Sequence, residues 1–334
     1  MTKKTKSELK LHRSNYEFSG QKIAMEDGTE IFVRIVKKKG ANGIPIILND
    51  GLGCDGYAWK YLIEYFEPRH SIIHWHYRGH GNSDVPRNLN TISMKTFAKD
   101  LKTVLDHLHI EQAVFCGHSM GVQLILEAYS LMPERFAALA LLCGGYQYPL
   151  QTWHASFERD GKKTLMNEGM KRFFPQLARS LIAHSLLWQP IWKHLMASEF
   201  PYKAALRYEL NSRRIVKNDL FPYFEHLSKM QARVFAQTAN SFSKHDGKHI
   251  LAKIKRPTLI VAGGRDTFSP PWLSLDMHKA IPSSDLLYIP DGTHCTPIEH
   301  PELINLRLEK FLNERLPSLP AVSPINLRSI KVAS

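Results

Sequence analysis

Several large protein classes are closed off by what this 334-residue chain lacks. Its four cysteines, Cys54, Cys116, Cys143 and Cys295, stand far apart with no C-x-x-C pair. That spacing offers neither a disulfide framework nor a zinc site, and buried free thiols in a reducing compartment are the simplest account. No stretch approaches the ~18 consecutive apolar residues of a membrane span. The first twenty residues have no apolar core of a secretory signal and carry Lys3, Lys4, Lys6, Lys10 and Arg13 instead. They read as a flexible basic arm, so export by that route is not expected and the cytoplasm is the expected location. Acidic residues are also scarce, 31 against 44 Lys and Arg, for a net charge of +13. With no zinc-finger spacing, RNP-like motif or long basic run, nucleic acid is not an expected partner. A peripheral contact with anionic lipid fits the charge better.

What is present is a strand–helix alternation. Lys22–Met25 and Ile31–Val36 flank an Asp27-Gly28 turn signal. Ile44–Leu48, Ile72–Trp75, Ala113–Cys116 and Ala137–Leu142 read as buried strands, with amphipathic segments at Ala58–Phe66, Met94–Leu108 and Ser119–Met132. Such spacing predicts an α/β fold with a parallel sheet covered on both faces. The pattern stops near Tyr146 and resumes with the strand Thr258–Ala262, a helix over Trp272–Ala280, the strand Leu286–Ile289 and a helix over Pro301–Arg315. The expected organisation is a basic arm (1–17), a first core part (18–145), a helical insert (146–250), a second core part (251–316) and a flexible tail (317–334).

The strongest local signal is Gly117-His118-Ser119-Met120-Gly121, at the end of the strand Ala113–Cys116 and running into a helix. A bare G-x-S-x-G is weak; strand before and helix after make it a nucleophile elbow, with Ser119 held exposed on a strained turn. A serine hydroxyl needs a base, and the base needs an acid to orient it. Of 17 histidines, His294 in Pro290-Asp291-Gly292-Thr293-His294 follows the run Leu286–Ile289, and Asp266 follows Thr258–Ala262 in Gly263-Gly264-Arg265-Asp266. Both stand at carboxyl ends of strands, where active sites of open α/β sheets assemble. The competing bases are His118, inside the elbow, and His80, in Arg78-Gly79-His80-Gly81-Asn82-Ser83. The competing acids are Asp291 and Glu299. Beyond Ile44–Leu48, the loop Asn49-Asp50-Gly51-Leu52-Gly53 can present the Leu52 amide inward, and with the Met120 amide it forms a candidate oxyanion hole.

Elbow, acid loop, histidine loop and the Arg78–Ser83 turn together resemble the α/β-hydrolase superfamily over roughly Phe18 to Leu316. The resemblance implies an eight-stranded, mostly parallel sheet with a cap inserted after the sixth strand. It also implies a Ser119, Asp266 and His294 triad, with Leu52 and Met120 as oxyanion donors and no metal or organic cofactor. The chain departs from the family at Asp50-Gly51, where the family commonly has His-Gly; a carboxylate there opposes an oxyanion unless it is paired or turned away. Serine at the elbow argues against the dehalogenase and epoxide hydrolase branches, which use aspartate.

The fold hosts many chemistries. Ester hydrolysis through an acyl-enzyme on Ser119 is the simplest use of these parts. The insert's aromatics, among them Trp153, Phe157, Phe173, Phe174, Trp188, Trp192, Phe200, Tyr208, Tyr223 and Phe235, are expected mainly to pack the cap, with some roofing the pocket. An apolar acyl ester such as a monoacylglycerol or lysophospholipid suits that roof. Acyl transfer or C–C bond hydrolysis on the same triad, and a non-catalytic binding protein, are the competing readings.

Overall fold

The computed structural model describes residues 16–38, 40–152 and 165–316. Residues 1–15, the tail beyond 316, Trp153 and Phe157 lie outside them, whereas Tyr16 and Glu17, expected in the flexible arm, begin the first strand. An eight-stranded sheet runs in the order β1-β2-β4-β3-β5-β6-β7-β8. Its strands are β1 (Tyr16–Ala24), β2 (Glu30–Lys38), β3 (Gly43–Asn49), β4 (His70–Trp75), β5 (Ala113–His118), β6 (Phe136–Leu142), β7 (Thr258–Gly263) and β8 (Ser284–Ile289). β2 pairs antiparallel with β1 and with β4, and all remaining pairs are parallel. β1 is longer than the segment predicted for it. It is an edge strand, so a polar-rich sequence such as Tyr16-Glu17-Phe18-Ser19-Gly20-Gln21 carries little apolar signal while still forming the ladder.

Outside the insert the helices are α1 (Lys60–Phe66), α2 (Met94–His107), α3 (Met120–Leu131), α11 (Pro271–Ala280), α12 (Thr296–Glu299) and α13 (Pro301–Arg315). Strand residues alternate between two cores, as period-2 geometry requires. Ile47, Phe115, Leu139 and Ile260 pack with Leu101, Val104, Leu124 and Ile125 on one face. Ile46, Val114, Ala138 and Leu259 pack with Leu62, Phe66, Leu308 and Phe311 on the other. The Arg78–Ser83 turn is anchored by the buried Arg78 guanidinium, which donates to both carboxylate oxygens of Asp100 at 2.6 and 2.7 Å and also pairs with Asp27.

Between β6 and β7 the regular elements are helical: α4 (Pro149–Thr152), α5 (Leu165–Ala183), α6 (Ser185–Ala197), α7 (Phe200–Tyr208), α8 (Lys217–Lys229), α9 (Ala232–Lys244) and α10 (Lys248–Leu251). One isolated bridge, Gln147 to Asp246, closes the base of this segment. It has a small core of its own, in which Ala178, Leu181, Ala232 and Ala236 meet Phe174, Trp188 and Trp192. The aromatics divide differently from expectation: Phe173, Phe200 and Tyr208 are solvent-exposed. No helix among the described residues is long and apolar enough to cross a membrane.

Candidate active site

Ser119 sits between β5 and α3 with φ 56° and ψ −118°, so the helix begins at Met120 rather than at the serine. A non-glycine residue with positive φ is strained, and here neighbouring contacts hold it: the Ser119 N–H donates to the Leu142 carbonyl at 3.1 Å, and its own carbonyl accepts from Val122 at 3.0 Å. The turn closes only because Gly121 lacks a side chain. A Cβ there would lie 2.2 Å from the Asn49 carbonyl oxygen and 2.9 Å from that of Asp50. The elbow and the loop after β3 are thus pressed backbone to backbone.

His294 and Asp266 arrive from the loops after β8 and β7. These loops are laced together: Gly264 donates to the Ile289 carbonyl at 2.8 Å and Arg265 to the Gly292 carbonyl at 2.9 Å. His294 Nε2 lies 2.9 Å from Ser119 Oγ, and its Nδ1 lies 3.1 and 3.0 Å from the two Asp266 oxygens. Asp266 is fully buried, and its Oδ1 also accepts from the Phe268 and Ser269 amides at 2.9 and 2.8 Å. Those bonds fix the carboxylate plane against the ring, the geometry in which an imidazole can take a proton from a hydroxyl.

The loop after β3 is rigidly moored. Trp75 Nε1 donates to Asn49 Oδ1 at 3.1 Å, Asn49 Nδ2 to the Cys116 carbonyl at 3.1 Å and Tyr77 Oη to the Asp50 carbonyl at 2.8 Å. Asp50 itself is turned away and paired: Trp59 Nε1 donates to Oδ1 at 2.8 Å, and His74 Nε2 lies 2.7 Å from Oδ2. Burial alone would raise this carboxyl's pKa. The His74 contact, with His76 and Trp59 adding to it, outweighs burial and holds it below the ordinary value. The carboxylate is therefore paired within the core by Trp59 and His74. Tyr223 Oη donates to the Leu52 carbonyl at 3.3 Å. Leu227 and Phe235 press on Gly53, and the Phe268 ring stands 5.0 Å from that of His294.

The competing bases are brought elsewhere. Burial and the nearby His294 drive the His118 pKa down to about 3, and its Nε2 donates to the His294 carbonyl at 2.8 Å. His118 thus supports the backbone of His294 rather than facing the serine. His80 is fully buried, with its pKa lowered to about 4 by burial, and its Nδ1 lies on the Arg78 carbonyl. Of the competing acids, Asp291 pairs at the surface with Arg214 and His300. Glu299 receives hydrogen bonds from Thr293 and from Asn211 of the insert. One carboxyl that sequence reasoning passed over is Glu209, which reaches the acid loop from the insert by a hydrogen bond with Thr267 Oγ1. Burial, opposed by His294 and helped by Asp266, raises its pKa to about 7. The four cysteines are free and buried, and desolvation raises their thiol pKa values.

This sheet order, elbow and loop arrangement define a hydrolase of the α/β class. Residues 44–301 match the family model described as the alpha/beta hydrolase fold, and the chain belongs to that family. It is 27% identical over 272 residues to RutD of Azorhizobium caulinodans, whose name assigns it, provisionally, carbamate hydrolysis; the match spans 81% of this chain and 92% of that one. It is 25% identical over 265 residues to 3-oxoadipate enol-lactonase 1 of Acinetobacter baylyi, spanning 78% of this chain and 85% of the relative. An esterase from Exiguobacterium antarcticum superposes with a TM-score of 0.67 at 21% identity, covering 88% of this chain and 99% of the other, a likeness of fold.

Proposed function

We propose that this hydrolase cleaves carboxylic esters through an acyl-enzyme on Ser119. The observation that carries the reading is the unbroken chain from Ser119 Oγ through His294 to the buried Asp266 at 2.9–3.1 Å. In this reading Ser119 Oγ attacks the acyl carbon while His294 Nε2 takes its proton, and Asp266 holds the ring and balances the imidazolium. The Leu52 and Met120 amides receive the oxyanion. His294 then passes the proton to the departing alcohol, and water repeats the cycle on the acyl-enzyme. The names of the relatives, a lactonase and a carbamate hydrolase, fit the same attack on an acyl carbon.

The apolar side chains beside Gly53 and His294, namely Leu227, Phe235 and Phe268, support an apolar acyl group such as that of a monoacylglycerol or lysophospholipid. The test is labelling by a fluorophosphonate in wild type and Ser119→Ala, followed by an ester chain-length series. Labelling confined to the wild type with an optimum at medium or long acyl chains is expected. A folded wild type that resists the probe would overturn the serine mechanism, and a flat preference for acetyl and butyryl esters would overturn the lipid substrate alone.

A further inference from the structure

Helix α6 is apolar on both of its sides, with Trp188 and Trp192 packed inward and a run of aliphatic side chains facing outward. Its inward side is fixed by polar bonds as well as packing. Trp188 Nε1 donates to Ser180 Oγ at 2.9 Å, Trp192 Nε1 to the Leu227 carbonyl at 2.6 Å and Gln189 Nε2 to the Met230 carbonyl at 3.2 Å, while Gln189 Oε1 accepts from Ala232 at 2.9 Å. That side cannot be rotated outward without breaking all four bonds. The outward stripe is Leu186, Leu187, Pro190, Ile191, His194 and Leu195, spaced as one helical face. Leu186 is 91% exposed, Leu187 72% and Ile191 55%, and Phe200 at the head of α7 adds another ring at 67%. A shallow groove runs along Pro190, Ile191, His194, Leu195 and Ser198. Scattered exposed leucines need no explanation, but a contiguous apolar stripe marks a contact surface.

Charge selects the partner. Residues 172–217 hold eight Lys and Arg against two acidic residues, Glu199 and Glu209. Glu199 is already engaged by Lys203 and Lys217, and Glu209 by Thr267. Lys193 stands exposed on α6 itself, and Arg172, Arg179 and Arg207 are exposed on α5 and α7. A second copy of this chain would bring the same positive field against itself, which opposes an isologous dimer through this face. A surface that is both apolar at depth and negative at its boundary is complementary.

We propose that the outer face of α6, with Phe200, docks on the interface of an anionic phospholipid bilayer. The leucines enter the acyl boundary and the surrounding Lys and Arg lie at the headgroups, the arrangement of an interfacial helix that lies on a membrane without spanning it. This inference stands apart from the ester-hydrolase reading, because binding is measured without turnover.

The experiment sediments the full chain with vesicles of phosphatidylcholine, and with vesicles of phosphatidylcholine mixed with phosphatidylglycerol. Wild type is compared with Leu186→Ser/Leu187→Ser/Ile191→Ser, all three replacements falling on exposed positions. The wild type should partition about tenfold more strongly onto the anionic vesicles and be released by added salt, and the triple variant should lose about tenfold or more of that binding. An unchanged circular dichroism spectrum and melting temperature show that the variant is folded. Wild type left in the supernatant, equal binding to both vesicle types, or a variant that binds like wild type would each overturn the proposal. So would a dimer in solution that the triple substitution abolishes without any vesicle binding, which would make this face a contact between copies.

Discussion

Glu299 takes two hydrogen bonds from Thr293, one from its hydroxyl to Oε1 at 2.7 Å and one from its N–H to Oε2 at 2.9 Å. Thr293 immediately precedes His294, and the same Oε1 accepts the Asn211 N–H of the insert at 3.0 Å. A buried carboxylate that only accepts therefore joins the insert to the loop carrying the proposed base. Glu299→Gln replaces one accepting oxygen with a donor facing another donor. It should lower kcat by about 10- to 100-fold through misalignment of His294, with KM changed far less. Glu299→Ala should do the same with a lower melting temperature, and Glu299→Asp should recover part of the rate. Steady-state kinetics with a soluble ester check this, and equal loss in KM and kcat would argue for a purely structural role.

The Asp50 pair predicts a pH-dependent stability. Its folded pKa is depressed, so its contribution is present above the ordinary carboxylate range and is lost as pH falls through the folded value. Asp50→Ala strands the Trp59 and His74 donors in the core and should destabilise the protein by about 3–5 kcal/mol at neutral pH. The gap between variant and wild type should narrow as the solution is acidified below pH ~4. Urea unfolding at several pH values measures it; a gap that does not change with pH would assign the loss to packing alone.

These two carboxylates also mark the boundary of what a sequence can disclose. Strands β3 to β7 are legible because they are buried on both faces and therefore read as continuous apolar runs bounded by turns. Ser119 and Asp266 could be singled out because each follows such a run, and His294 because it follows the half-buried apolar run Leu286–Ile289; parallel strands deliver their carboxyl ends to one edge. The pairing of Asp50 could not be read, since His74 lies on β4 and Trp59 in the turn Tyr57–Trp59 that precedes α1. Glu299 was visible only as a nearby acid, because its partner Asn211 comes from the insert across 88 residues. The starting point of α3 was missed by one residue: the apolar pattern runs through the elbow, and a positive φ at Ser119 leaves no trace in periodicity.

Gly121 makes a sharper claim about the elbow. A methyl group there meets backbone oxygens of Asn49 and Asp50, which cannot swing aside as a side chain can. Gly121→Ala should destabilise the fold by about 2–3 kcal/mol. By shifting the loop that carries Leu52, it should also lower kcat by about 100-fold. Gly145→Ala is the control, because its Cβ would meet only the flexible end of Leu273. If both variants melt and turn over alike, close approach at the elbow is not what glycine supplies.

Glu209 gives the prediction nearest to neutral pH. Its folded pKa of about 7, raised mainly by burial, lies above the ~4.3 expected of the unfolded chain. Below pH ~4 both states hold the proton and the residue contributes no difference. Between the two values the folded state binds more protons than the unfolded state, so stability falls as pH rises, and above pH ~7 the loss is constant. Glu209 remains partly exposed, so solvent screening reduces the effect to about 1 kcal/mol. Glu209→Gln keeps an acceptor for Thr267 Oγ1 but cannot ionise. The variant should match wild type near pH 4 and exceed it by about 1 kcal/mol at pH 8 in denaturant unfolding. A constant offset at both pH values would mean that Glu209 ionises normally in the fold, and a loss at pH 8 would mean that its charge is stabilising beside His294.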